Sequence, residues 1–565
     1  MLLARGEVSP DTPDNHGSTA LSLGAEHGHE HVVKILLERK EVNPEKLDNN
    51  GDTPLSCAAY RGCEGVVKIL LGQEGVNPDN PNNIGQTPLS HAAMRGHVEV
   101  VKILLEQERI NPDRPDYDGR TPLLHASRDG HVEVVKILLE QEEANPDKPD
   151  NDGRTPLSCA AQEGHEGVVK ILLGHEEVNP NKPDDCGRTP LLYSAWGGCE
   201  RVVKILLGQE QVNPDKPDIN GGTPLLFAAW CGLEGVVKIL LGHEEVDPEK
   251  PDNSGRAPLW YAAGGGYEEV VKILLGRKEL NPDKPDNHGN SPLSIAAQEG
   301  YEGVVKILLA RDEVNPELPD DDGDTPLLCA ALAGREKVVK ILLEQEEVNP
   351  NYSNHVGQTP LFCAVWGGNE RVVEILLARK EVNPDKPDNY GRTPLQGAAL
   401  GGHKKVVNML LGRDEVNPDK PNNHGSTPLL LAAEYGHEDV VKILLRREEV
   451  DPKRLDNDGD TALSCAALGG CEEVVKILLE HEGANPDKPN YAGQTPLAIA
   501  ADKGHEEVVD ILLRQAEVDP NKADHDGQTP LIHAARNGHQ RVIELLQHHE
   551  LTTQGALPVL GDTTP

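Results

Sequence analysis

Residues 150–173 read DNDGRTPLSCAAQEGHEGVVKILL, and almost the same words return every 34 residues. The glycine of the GxTPL phrase falls at sixteen positions from Gly17 to Gly527, and no interval departs from 34. A period of this length that never slips predicts stacked supersecondary units sharing one continuous core, not a globular enzyme domain. Within one unit, Thr155-Pro156 is a helix start: threonine caps, and proline at the first helical position loses an N–H that has no intrahelical partner. Leu157, Ala160 and Ala161 lie at i, i+3 and i+4 on one face of a short helix, and alanine lets a neighbouring backbone approach. Gly164 supplies the left-handed residue that ends it. His165-Glu166 opens a second helix whose Val168, Val169, Ile171, Leu172 and Leu173 form a broad apolar stripe, with Glu166 and Lys170 at i, i+4. Val178-Asn179-Pro180 stops that helix. Asp184-Asp185-Cys186-Gly187 then forms a turn-tipped finger, with aspartate bonding its own backbone and glycine supplying positive φ. One such unit alone would leave both flat faces wet, so stacking is obligatory.

The totals narrow the function classes. The chain has 565 residues and a formal charge of −39, which disfavours adhesion to nucleic acid or anionic lipid. No run of 18 apolar residues predicts a membrane span, and MLLARGEVSP does not read as a secretory leader. Ten cysteines spread over this length predict reduced thiols used as small packing residues in a cytoplasmic or nuclear protein.

The sequence carries no catalytic or metal-binding motif. His29-Glu30-His31 lacks the i, i+4 spacing of a helical zinc site, and no HExxH occurs. Cys57/Cys63 and Cys465/Cys471 share a five-residue gap that is not C-x-x-C. The eight histidines of the GH phrase, among them His97, His131 and His505, suit a polar bridge in the interhelical turn. There is no phosphate loop, and Gly264-Gly265-Gly266 lacks dinucleotide-site spacing. No catalytic residue, metal site or cofactor is therefore assigned.

The phrase G-x-TPL-x-x-AA-x-x-GH-x-x-VV-x-x-LL, with two helices and a finger, resembles the ankyrin repeat from about residue 11 to residue 550. The resemblance implies an all-α solenoid of about 16 repeats of 34 residues, each a pair of antiparallel helices with a β-hairpin-like finger, in a curved superhelix. The period is one residue longer than the usual 33, and acid such as Glu142-Glu143 replaces the glycine that usually follows the second helix. The wording NPDKPDNxGRTPL with VVKILL is also similar to near-identical ankyrin arrays of filamentous fungi. Those arrays often follow a NACHT-type nucleotide-binding domain in receptor-like proteins. This implies an alternative role as the sensing arm of a larger nucleotide-dependent receptor.

At the ends, residues 1–13 read as a partial leading repeat, because Met1–Arg5 aligns with Ile307–Arg311 at the end of a second helix. Residues 14–550 read as the continuous array. Gln540, Arg541, Glu544 and Gln547 make the last second helix polar, as a cap should be, and 551–565 reads as a disordered tail.

Comparing repeats with one another separates framework from freedom. The positions that vary flank the finger glycine and follow the paired alanines, where Tyr60, Met94, Arg128, Gln162, Trp196, Trp230, Trp366 and Glu434 stand. In the fold implied, these sites line the concave side, where partners bind. Sixteen aromatic residues are present, none in the body of a second helix. Tyr193, Trp196, Phe227, Trp230, Trp260 and Tyr261 cluster in three successive repeats, and Phe362 with Trp366 forms a satellite. These eight, with Arg154 and Arg188 of the fingers, are the expected partner-binding residues, since Trp, Tyr and Arg most often anchor interfaces. Packing between first helices is the competing role for Tyr193, Phe227 and Tyr261. Arginines at 120, 154, 188, 256 and 392 share a finger position and read as a mixed-charge face among finger aspartates. The expected activity is a monomeric, non-catalytic binding scaffold for a protein partner, basic by charge complementarity, with no nucleic acid or membrane bound.

Overall fold

The finger, two helices and loop of the repeat are all present in the computed structural model, which describes residues 9–481 and 484–554. In the quoted repeat, Asp150 closes the finger tip. Its Oδ1 accepts the N–H groups of Asp152 (3.1 Å) and Arg154 (2.9 Å), and its own N–H donates to the Arg154 carbonyl. Gly153 sits at φ 83°, and a Cβ there would lie 2.7 Å from the Asp185 amide nitrogen. Conformation and close approach both demand glycine. Each finger gives its neighbour one backbone bond: the N–H of Asn151 donates to the Asp118 carbonyl at 2.8 Å, and that of Asp185 to the Asp152 carbonyl at 3.0 Å. No strand forms among the described residues. The arms run through prolines such as Pro149 and Pro183, which have no N–H to extend a ladder, so the fingers are turns and not true hairpins.

Thr155 caps the first helix, Pro156–Glu163, by accepting the Ser158 N–H at 3.2 Å. Gly164 (φ 78°) ends it in the left-handed region. His165 then leads into the second helix, Glu166–Leu173, along which Val168, Val169 and Leu172 are fully buried. Ala160 and Ala161 are also fully buried, at the seam where first helices of successive repeats meet. Val178, in the loop that follows, is 6% exposed and pins the loop to the slab.

The described residues hold 32 helices, two per repeat. They divide into two compact units between Asn287 and His288. In each unit the first helices pack on first helices and the second helices on second helices. The last helix, Gln540–Gln554, keeps Gln540, Arg541, Glu544 and Gln547 exposed. It runs four residues past the expected boundary at 550. Residues 555–565, and the Met1–Arg5 alignment, lie outside the described residues.

Two inter-repeat ties were not legible as such. The histidine of the GH phrase reaches back 37 residues to a carbonyl at the end of the preceding first helix: His97 to Tyr60, His131 to Met94, His165 to Arg128, at 2.9–3.0 Å. Where histidine is replaced, Cys199 Sγ, Asn369 Nδ2 and Arg335 Nε make the same bond. In the loops, Lys148 Nζ donates to both the carbonyl and the carboxylate of Asp113, at 2.9 and 2.8 Å. Lys420 does the same to Asp385, and Lys522 to Asp487. Elsewhere the lysine of this loop reaches the same backbone position 35 residues back, where it finds Asn181 (Lys216), Glu249 (Lys284) or Asn351 (Lys386).

Candidate partner interface

Three first helices of the first unit, Pro190–Trp196, Pro224–Trp230 and Pro258–Gly264, carry the densest run of variable aromatic residues. The small residues just before Trp196 and Trp230 (Ser194-Ala195 and Ala228-Ala229) are buried against neighbouring helices, so the next residue emerges at the open edge. Trp196 is 39% exposed and Trp230 51%. Both stand on a buried bed: Phe227 is 8% exposed, with its ring 5.6 Å from Trp196 and 5.9 Å from Trp230. Trp230 continues to Tyr261 at 6.0 Å, and Tyr261 meets Trp260 edge-on at 5.3 Å. Tilted and edge contacts of this kind suit the ring quadrupoles.

A polar frame fixes the bed. Tyr193 donates its hydroxyl to Asp184 Oδ2 at 2.5 Å, and Tyr261 donates to Asp252 Oδ2 at 2.7 Å. His125 uses the same nine-residue spacing to reach Asp116 Oδ2 at 2.9 Å. Burial and the nearby Asp184 carboxylate push the Tyr193 phenol well above its ordinary value, so it stays a donor. Over the rings lie guanidinium groups: Arg188 is 5.3 Å from the Trp196 centroid, and Arg256 is 4.9 Å from that of Trp260.

The expected contact residues thus separate by depth. Tyr193 at 3% and Phe227 at 8% lie under the surface and support it, and Phe362 at 1% does the same in the second unit. Their burial leaves these three rings as support for the exposed ones and not as outer surface. Trp260 and Tyr261 are half-buried at its edge. Arg154 touches no ring; it pairs with Asp150 at 3.2 Å and Asp152 at 2.8 Å. In the satellite, Trp366 (46% exposed) stacks on Phe362 at 6.2 Å, and Arg392 covers both rings while pairing with Asp388 at 2.7 Å.

Two features lie outside the expected contact set, exposed Leu332 and half-buried Tyr60. Leu332, at the position after the alanines in the repeat before Trp366, is 49% exposed. Tyr60, in the first unit, is flanked by Arg95 at 4.7 Å and His91 at 5.5 Å beside a cleft of about 670 Å³ that Asp14, Asp48 and Asp52 also line. Leu332 and Tyr60 occupy the same variable column as the tryptophans, which was the available signal.

The thiols of Cys57 and Cys159 are pushed up by burial to about 12 and about 11, far from reactive thiolate. Among the described residues, no group of three or more His, Cys, Asp or Glu side chains is placed to hold a metal ion, and no helix is long and apolar enough to cross a membrane.

The family model described as ankyrin repeats (3 copies) matches this chain in overlapping windows, from residues 1–82 through residues 484–555. The chain belongs to the ankyrin-repeat family. Its repeats are an all-α solenoid of about 16 units, of a kind that generally mediates protein–protein interaction. No curated protein matches the chain.

Proposed function

We propose that this ankyrin-repeat chain is a non-catalytic scaffold that takes a protein partner on its finger and first-helix surface. The aromatic strip of the first unit is the anchor. One observation carries this reading: two tryptophans stand 39% and 51% exposed against the buried ring of Phe227. Large aromatic area held rigid in this way loses little side-chain entropy on binding. The net charge of −39 keeps copies of the chain apart as monomers and speeds the approach of a partner of basic overall charge. Ten free thiols suit a reducing cytoplasmic or nuclear setting.

The test is cross-linking and affinity capture with the full chain, followed by the double variant Trp196→Ala, Trp230→Ala. Loss of the captured partner with unchanged helicity and melting is expected. Capture at wild-type level by the double variant overturns the anchor assignment.

A further inference from the structure

The strip has a gap at its centre and, on either side, an arginine held by a tyrosine hydroxyl and not by a direct ion pair. In the middle finger, Gly222 stands where its neighbours carry Arg188 and Arg256. A Cβ at Gly222 would lie 2.6 Å from Phe227 Cε2, so the Phe227 ring takes the space a side chain would need. Trp196 and Trp260 each lie under a guanidinium, whereas Trp230 has none over it and is the most exposed of the rings.

The two flanking arginines also differ from the others at this finger position. Arg120 pairs with Asp118 at 2.8 Å, Arg154 with Asp152 at 2.8 Å, and Arg392 with Asp388 at 2.7 Å. Among the described residues, Arg188 and Arg256 have no carboxylate at ion-pair distance and bond the hydroxyls of Tyr193 and Tyr261 instead, for two reasons. The residue before the finger glycine is Cys186 in one case and Ser254 in the other, where Arg120 and Arg154 find aspartate. The carboxylates equivalent to Asp388 are Asp184 and Asp252, and these already accept the hydroxyls of Tyr193 and Tyr261.

We infer that the strip seats an extended acidic segment of the partner, with an apolar side chain on Trp230 and a carboxylate on each of Arg188 and Arg256. This rests on the binding surface proposed above and names its occupant. Charge-assisted, forked bonds from arginine to carboxylate fit both ends. First helices pack about 10 Å apart, so the two arginines, two repeats apart, are roughly 20 Å apart. A polyproline-II segment rises about 3.1 Å per residue and turns every third side chain to one face, which places the two acidic residues about six positions apart with the apolar residue midway. The chemistry of this seat is opposite to the net charge of the chain. Overall charge governs approach, and the seat governs which segment is held.

The experiment titrates the full-length chain, in a Trp366→Phe background, with seven-residue peptides read by tryptophan fluorescence. The peptides carry leucine at the centre, Gly/Ser spacers, and glutamate, glutamine or lysine at both ends. The glutamate peptide is expected to bind at least tenfold more tightly than the glutamine one, and the lysine peptide most weakly. Arg188→Gln and Arg256→Gln should each weaken the glutamate peptide roughly tenfold. Cys186→Asp and Ser254→Asp restore a carboxylate that neighbouring fingers tolerate, so they should weaken it similarly without a change in melting.

Equal or tighter binding of the lysine peptide, indifference to the two aspartate variants, or no binding of any peptide overturns the inference. If the chain self-associates and Arg188→Gln abolishes that association, the occupant is a second copy and the assignment likewise falls. Should the peptides fail while the double tryptophan variant still loses its captured partner, only the acidic occupant is wrong. Should capture survive that variant, the surface itself is wrong.

Discussion

Asp460 shows how a single carboxylate can oppose the fold that holds it. It follows the finger glycine Gly459, half-buried, with Asp456 and Asp458 close by. Burial, which outweighs a bond from Asn490 Nδ2 to its Oδ1 at 3.1 Å, raises its pKa to about 6, with further repulsion from the two aspartates. An unfolded aspartate titrates near 3.9, so the folded chain holds this proton more tightly than the unfolded one. Stability from this group is greatest below about pH 4 and falls as pH rises through 4 to 6. Asp460→Asn should therefore stabilise the repeat at pH 7.5, by about 1 kcal/mol after allowance for solvent screening. Hydrogen exchange of residues 461–467 would show that gain, which should vanish at pH 4. A gain of the same size at both pH values would place its origin elsewhere. At this scale the sequence was legible in column and not in depth. It placed Trp196 and Trp230 at a variable position, yet it could not tell that Tyr193, Phe227 and Phe362 lie beneath the surface. Phe227 and Phe362 stand at different helix positions, and what neighbouring repeats pack over each ring decides its burial.

Helix ends were the most legible elements, because their chemistry is local. Thr155 caps and Gly164 terminates as their residue types require. One repeat breaks the rule. Ala257 replaces the capping threonine, and the helix Pro258–Gly264 has no side-chain cap bond. Ala257→Thr should add about 1 kcal/mol to that helix, measured as slower exchange of the Leu259 and Trp260 amides. Unchanged exchange would mean that packing alone already fixes this helix end. What tied one element to the next was much less legible. The GH histidine is no cap: His131 makes no side-chain bond to its own helix, and its ring donates across to the Met94 carbonyl. Substitution by Cys199, Asn369 or Arg335 looks like drift in the sequence, and only the shared carbonyl acceptor shows that these three keep a donor there, whereas Leu233 does not. The Lys148–Asp113 grip was hidden for the same reason, since its partners are 35 residues apart.

For the molecule, the period decided the fold because it never slips, and an unbroken phase leaves little room for another architecture. The binding surface was legible only as a set of columns. Its centre depends on an absence, Gly222, whose meaning appears when the Phe227 ring is seen filling the vacated space. Because most repeats of the first unit carry a glycine-tipped finger, a donor in the interhelical turn and a gripping side chain in the loop, most of its joints are cut to one pattern. Excising residues 119–152, one full period, should fuse Asp118 to Gly153 and leave a sound joint. Mean residue ellipticity should then stay constant, and the glutamate peptide should still bind. Excising 119–135, half a period, should lower both.

The Lys148-to-Asp113 handclasp therefore has a hereditary corollary. When copying machinery slips by one whole repeat, the daughter chain is spliced at matching faces and still folds. Such a gene can lengthen or shorten in a single step, and the three-repeat cassette around Gly222 travels intact through most of those slips.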